Sequence, residues 1–449
     1  MPGTDICLKL GGYVRYQATA PGTNITSGAM NGTGGRQTRV DTVDFAQRVR
    51  ALITVDTRQQ TAYGTLRTYI LLGYSQDTNV AETTSPTVYM TRGFIQVAGF
   101  TLGKATSFFD IYPNASFGYN VGAMYVPDTG DAGKILATYT AQLGNGFSAS
   151  IGIEQSRRRA VVYMYPSSGA YAFATTPTSN HLGSVALGVS SLPDIVGNLR
   201  VDQAWGTILG ALALHDNSGG YYGTTEANGR PSSNWGWAAT IGAIVNLPMI
   251  APGDRISFQY VYSEGAIGYA AVTPSGGSMA YRSKGVVGFG HFTDGVYSCS
   301  AAAGSGACEV PTGVQNTTAW SIAAAFEHLW TPALRTSIYG SYIKVTHNTT
   351  AVDIICANGG IYGTAGTGSG CNPNWSGYVI GSRTQWEPVR GWIMGVDVLY
   401  THLSTAKSAV GATITPGGAA TAYTCTATTC NADQSAWVFT FRTQRDYHP

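Results

Sequence analysis

Charge is scarce in this chain. Asp, Glu, Lys and Arg make up 11% of its 449 residues, less than half the ~25% of an ordinary soluble protein. Also lacking is any run near the ~20 apolar residues that a membrane helix needs, which excludes a helical membrane bundle. Lysine is the rarest charge of its sign, 6 residues against 20 arginines. Arginine keeps its charge and offers a rigid fork of donors, so a cluster of arginines reads as a fixed electrostatic feature. No Pro/Ser-rich hinge or composition break divides the chain, and residues 1–449 are expected to form a single domain. A net charge of +2 exerts no global pull toward nucleic acid, so no such partner is expected.

What is abundant is glycine, at 58 residues, and aromatics, with 27 Tyr, 14 Phe and 9 Trp. Alternation with a period of two recurs along the chain and marks half-buried strands. In "ICLKLGGYVRYQ", Leu8, Leu10, Val14 and Tyr16 oppose Lys9, Arg15 and Gln17. In "VDFAQRVRALITVDTR", Phe45, Val49 and Ile53 oppose Arg48, Arg50 and Asp56. "TLRTYILLGY" sets Ile70 and Leu72 against Arg67, and "YMTRGFIQVAG" sets Ile95 and Val97 against Arg92 and Gln96. The pattern persists to "WIMGVDVLY", where Asp397 faces away from Trp392, Met394 and Val396, and to "WVFTFRTQ", where Arg442 and Gln444 face away from Phe439 and Phe441.

Short links, such as 59–64, 144–146, 331–333 and 387–390, alternate with long Gly/Ser/Thr/Asn-rich links near 20–37, 110–132, 161–193, 216–233, 271–315, 348–376 and 405–433. Short turns at one end and long loops at the other characterise an outer-membrane barrel, whose strands are even in number. Counting strands around the links gives sixteen. The expectation is an all-β, 16-stranded antiparallel transmembrane barrel with short periplasmic turns and long extracellular loops, ringed by interfacial aromatics. The rival from another class is an exported, non-channel β-rich surface protein, adhesin- or lectin-like, which predicts solubility without detergent.

Six of the seven cysteines form local pairs in loop-like stretches: Cys299 with Cys308, Cys356 with Cys371, and Cys425 with Cys430. Such pairs read as disulfides of an oxidising compartment. Zinc is the rival reading, but there is no tight CxxC and no histidine at ligand spacing. Enzyme signals are weak. Glu327–His328 lacks the second histidine of a metalloprotease helix, and "GTAGTGSG" at 363–370 lies between strands rather than before a helix. No catalytic residue, metal or cofactor is expected.

"PGTDICLKLGGYVRYQ" at 2–17, "DFAQRVRALITVDTRQQTAYGTLRTYI" at 44–70, "RGFIQVAGFTLGKATSFFD" at 92–110, "PDIVGNLRVDQAWG" at 193–206 and "FRTQRD" at 441–446 closely resemble the porin family of alphaproteobacteria, the rhizobial and Brucella type. The resemblance spans nearly the whole chain. It implies a homotrimer in the outer membrane, in contact with lipid and lipopolysaccharide. It further implies passive diffusion of small hydrophilic solutes and ions, and a third loop folded into the lumen. Family members carry a signal peptide and then an upstream cysteine before the first motif. Here Met1 directly precedes Pro2, so Cys7 is expected to be a free thiol whose family partner lies in a missing segment. The end "DYHP" departs from the aromatic final residue of many barrels.

The candidate site follows. Lys9, Arg15, Arg48, Arg50, Arg67 and Arg92 fall on the polar faces of the first four strands. Neighbouring strands lie ~4.8 Å apart, so these cations can form one basic wall. The third long link, 110–132, holds Asp110, Asp128 and Asp131 and no Lys or Arg. If it folds inward, as the resemblance implies, acids face the arginines across a constriction, where the field is stronger than in bulk water. Arg157, Arg158 and Arg159 alternate in facing and are expected at a strand end, near lipopolysaccharide or the pore mouth.

Overall fold

A computed structural model describes residues 5–20, 45–78, 87–111, 117–120, 124–129, 132–164, 192–222, 229–271, 278–283, 286–300, 310–357, 370–408, 413–414, 423–424 and 432–447. Sixteen strands close into one barrel. In chain order they are β1 (Ile6–Ala20), β2 (Ala46–Thr61), β3 (Gly64–Asp77), β4 (Thr87–Val97), β5 (Phe100–Ala105), β6 (Lys134–Gly144), β7 (Phe147–Glu154) and β8 (Asp194–Gln203). They continue as β9 (Gly206–Asp216), β10 (Trp235–Asn246), β11 (Arg255–Glu264), β12 (Thr318–Thr331), β13 (Leu334–Thr346), β14 (Trp375–Val389), β15 (Trp392–Ser404) and β16 (Gln434–Asp446). Every neighbour is the next strand in sequence, and β16 returns to β1 with Arg15 opposite Gln444 and Gln17 opposite Arg442. Closure leaves no sheet edge, the condition for strands to cross lipid.

The period-two pattern decides which face meets lipid. Leu10, Val49, Ile53, Ile151, Leu212 and Ile380 all point outward and are exposed. Exposed Trp330, Trp386 and Trp392 lie near the short turns, and Trp235, Trp237 and Trp437 near the long loops, as interfacial girdles require. The short turns are built as their sequences ask: Asn145 and Gly146 both hold positive φ, at 51° and 78°, the backbone that suits an Asn-Gly hairpin.

The two halves of the inner wall differ. On β9–β16 it is packed against the inward loop: Ala211, Ala238, Ala323, Val345, Leu399 and Val438 are buried and belong to one cluster with Phe109, Ile111, Phe117, Met124, Tyr125 and Val126. Those six come from the link between β5 and β6. Phe289 and Phe292, from the link between β11 and β12, and Ile354 and Ile355, from helix α1 (Thr349–Ala357), join the same cluster. On β1–β4, by contrast, Lys9 is exposed and Arg15, Arg50, Arg67 and Arg92 are part-exposed. The barrel is filled on one side, and its polar wall lies on the other.

Candidate functional site

The third long link enters the lumen and crosses to the far wall. Its first turn is held at the near side, where Phe108 N donates to Glu154 Oε1 at 2.8 Å and Asn198 Nδ2 donates to the Phe108 carbonyl at 2.6 Å. Its middle is held at the opposite side. Ser337 Oγ donates to the Phe117 carbonyl. Tyr125 N donates to Ser341 Oγ at 2.8 Å. Thr440 Oγ1 donates to Asn120 Oδ1 at 2.8 Å. Asp397, wholly buried, accepts from the backbone N–H groups of Tyr119 and Asn120 and from Tyr339 Oη at 2.7 Å. A buried carboxylate is tolerable when donors surround it in this way. The Tyr119 ring lies between two cations, with the Arg442 guanidinium 4.2 Å and the Arg383 guanidinium 5.6 Å from its centroid. Arg383 in turn pairs with Glu327 at 2.5 Å, and Arg255 reaches the same carboxylate at 3.1 Å.

The predicted basic wall lies on β1–β4. Arg15 and Arg50 are directly opposite one another, as are Gln17 and Arg48. Arg48 makes a two-point pair with Asp77 at 2.5 Å, and Arg67 one with Asp56 at 2.9 and 3.0 Å. Arg15 donates to Gln444 Oε1 at 2.6 Å. Arg50 stands 5.5 Å from the Tyr89 ring centroid, and Arg92 donates to Thr106 Oγ1 at 2.8 Å. Lys9 is opposite Asp56 in register and exposed. Between the inward loop and strands β6–β8 is a cavity of about 480 Å³ lined in part by Ser107, Asp128, Ser150, Asn198, Arg200 and Asp202, with Arg92 of the basic wall reaching its edge.

A family model described as the porin subfamily matches residues 1–437 of the chain. The chain belongs to this family. It is 31% identical over 226 residues to the porin Omp2b of Brucella melitensis, a match covering 47% of this chain and 52% of that one, and the Brucella abortus protein matches at the same identity and coverage. The chain thus spans about half the length of the curated relatives it matches. Among solved structures, the outer-membrane channel DcaP of Acinetobacter baumannii superposes with a TM-score of 0.58, covering 98% of this chain and 97% of that one at 10% identity. This likeness is one of fold. Family and closed barrel together place this porin in the outer membrane.

The acidic side of the predicted site is arranged differently from its sequence reading. In this porin Asp110 is buried, accepts from Arg157 Nη2 at 2.7 Å, and accepts both Thr129 N and Thr129 Oγ1, at 2.8 and 2.6 Å. Its charge is spent tying the two limbs of the loop together. Asp128 lines the cavity, and Asp131 lies outside the described residues. The arginine triplet lies just past the end of β7, at the strand end expected of it, and is buried. Arg158 pairs with Asp216 at 3.6 Å, and Arg159 N donates to Asp294. Asp194 accepts from Arg157 N at 3.0 Å and Tyr269 Oη at 2.8 Å, and meets His215 Nδ1 at 2.7 Å. Burial lowers the Arg159 guanidinium to about 10 against the opposing pull of Asp294, so it stays charged at neutral pH. The sequence signal for this cluster was present: three adjacent cations cannot all sit at a strand end in an apolar setting without local acids.

Cys356 and Cys371 are disulfide-bonded and tie α1 to the start of the following segment. Cys299 is also disulfide-bonded, while Cys308, Cys425 and Cys430 lie outside the described residues. Cys7 is a free, exposed thiol. It is expected to take up one equivalent of a hydrophilic maleimide in the folded, unreduced protein. Failure to label until the chain is unfolded would contradict its exposure.

Proposed function

We propose that this chain forms a water-filled channel through which small hydrophilic solutes and ions diffuse passively, as a homotrimer among outer-membrane lipid and lipopolysaccharide. The observation that carries the reading is the asymmetric lumen: an inward loop packed against β9–β16, facing a polar, arginine-rich wall on β1–β4. On this reading Lys9, Arg15, Arg48, Arg50, Arg67 and Arg92 line the path, and Asp128 supplies the acid opposite Arg92. Charged rings of this kind set which ion passes. Arg48 and Arg67 carry their own carboxylates, so they contribute a transverse dipole more than net charge. The trimer rests on family resemblance.

Reconstitution into a planar bilayer tests the channel: stable stepwise conductance is expected, and its absence from well-folded protein would refute it. Replacing Arg48, Arg50 and Arg67 together with alanine should shift the cation-to-anion permeability ratio upward by roughly three- to tenfold, read as a displaced reversal potential in a KCl gradient. Asp128→Asn should move it the opposite way.

A further inference from the structure

Most arginines inside the barrel face a carboxylate: Arg48 has Asp77, Arg67 has Asp56, Arg157 has Asp110 and Arg383 has Glu327. Two do not. Arg442, buried, donates Nε and Nη2 to Gln17 Oε1 at 3.1 and 2.7 Å and Nη2 to the Tyr119 carbonyl at 3.2 Å. Arg15 donates Nε to Gln444 Oε1 at 2.6 Å and stands 4.4 Å from the Tyr13 ring centroid. Every one of these partners is neutral, and among the described residues neither guanidinium has an ion pair. The acid beside them, Asp446, is taken up by the Gln444 amide at 2.5 Å.

The register brings the two together. Gln17 is opposite Arg442 and Gln444 is opposite Arg15, so the arginines are diagonal neighbours on one face, a separation long side chains span. Arg50, opposite Arg15 on β2, adds a third positive charge to the same patch. Like charges this close repel, and a buried cation without a counter-charge carries an uncompensated desolvation cost. The glutamines hold each fork by one edge through a neutral oxygen. The two Nη groups of Arg15 are left without a protein hydrogen bond among the described residues. A small oxyanion between the forks removes both costs, since guanidinium and carboxylate or phosphate match in geometry and charge.

We propose that Arg15 and Arg442 together form a binding site for a small oxyanion, carboxylate or phosphate, beside the Tyr119 segment of the inward loop. The proposal rests on the channel reading for its role, which is a stopping point for anionic solutes. It does not rest on that reading for its existence. Conduction requires such a stop to hold its ion weakly enough to release it.

The test uses inorganic phosphate and, separately, acetate, at low ionic strength where screening is least. Equilibrium dialysis of the detergent-solubilised protein reads binding directly, and block of chloride current in a bilayer reads it in the channel. Phosphate and acetate are both expected to bind wild type, and Arg15→Gln and Arg442→Gln each to weaken binding and block by roughly tenfold, the loss of one charge-assisted contact. Arg442 also holds the inward loop, so its variant could act by moving Tyr119. Arg15 touches no loop residue among its hydrogen bonds, and Arg15→Gln separates charge from loop position. No oxyanion binding by wild type, or equal binding by Arg15→Gln, would overturn the site. Binding without conductance would overturn the channel and leave the site standing.

Discussion

Arg157→Ala is expected to destabilise the folded barrel by about 3–5 kcal/mol, the usual cost of stripping one partner from a buried ion pair, and to make its current noisy. Arg157 holds both limbs of the inward loop at once. One Nη reaches Asp110 at 2.7 Å on the entering limb, and the other reaches the Pro127 carbonyl at 2.6 Å on the leaving limb. Its guanidinium also lies 4.5 Å from the Tyr269 ring centroid, so the same side chain joins the loop to the link that caps β11. Alanine would leave the buried Asp110 carboxyl facing only Thr129. The measurement is the urea unfolding midpoint in detergent, with single-channel recording alongside. Replacing the pair together, Arg157→Met with Asp110→Leu, should restore part of the loss, because two apolar side chains leave no charge stranded. A single variant as stable as wild type would show that the pair does not hold the loop.

Asp397→Ala is expected to widen the channel. Asp397 accepts two loop donors, Tyr119 N and Asn120 N, together with Tyr339 Oη of the wall. Its removal orphans three buried donors at about 1–3 kcal/mol each. Thr440, Ser341, Ser337, Gln385 and Arg442 still hold the flanking positions, so the segment should loosen from the wall at Tyr119 and Asn120. Conductance should then rise roughly twofold, with faster entry of larger sugars into proteoliposomes, since pore diameter governs both. Asp397→Asn keeps one acceptor oxygen and should show a smaller change. Unaltered sugar entry through a folded Asp397→Ala barrel would sink the idea that this carboxylate sets the pore.

The inward face of Asp397 and of Arg442 is legible in the sequence, but their role is not, while Arg157 is placed by the sequence only at a strand end. Asp397 was legible as the lone acid on the inner face of "WIMGVDVLY", and Arg442 as an inward cation of the last strand. Nothing in either strand says that the Tyr119 segment arrives between them, because the contact joins residues 278 positions apart. Asp110 was read as a pore-facing acid because the third link holds no cation of its own. Its partner, Arg157, comes from the next long link, 47 residues later. The apolar inner wall of β9 and β10 is visible in "GTILGALALHD" and "WGWAATIGAIVN", which are apolar on both faces, as strands buried on both sides are.

The sequence by itself determined strand number, the faces of each strand and the alternation of short and long links. All of these follow from period two and local turn chemistry, which act over a few residues. Only the tertiary structure decided which half of the lumen is filled, which acids are spent on structural pairs and which arginines are left with neutral partners. Those outcomes depend on where an inward loop comes to rest, and that is set by burial and by hydrogen bonds across the full width of the barrel.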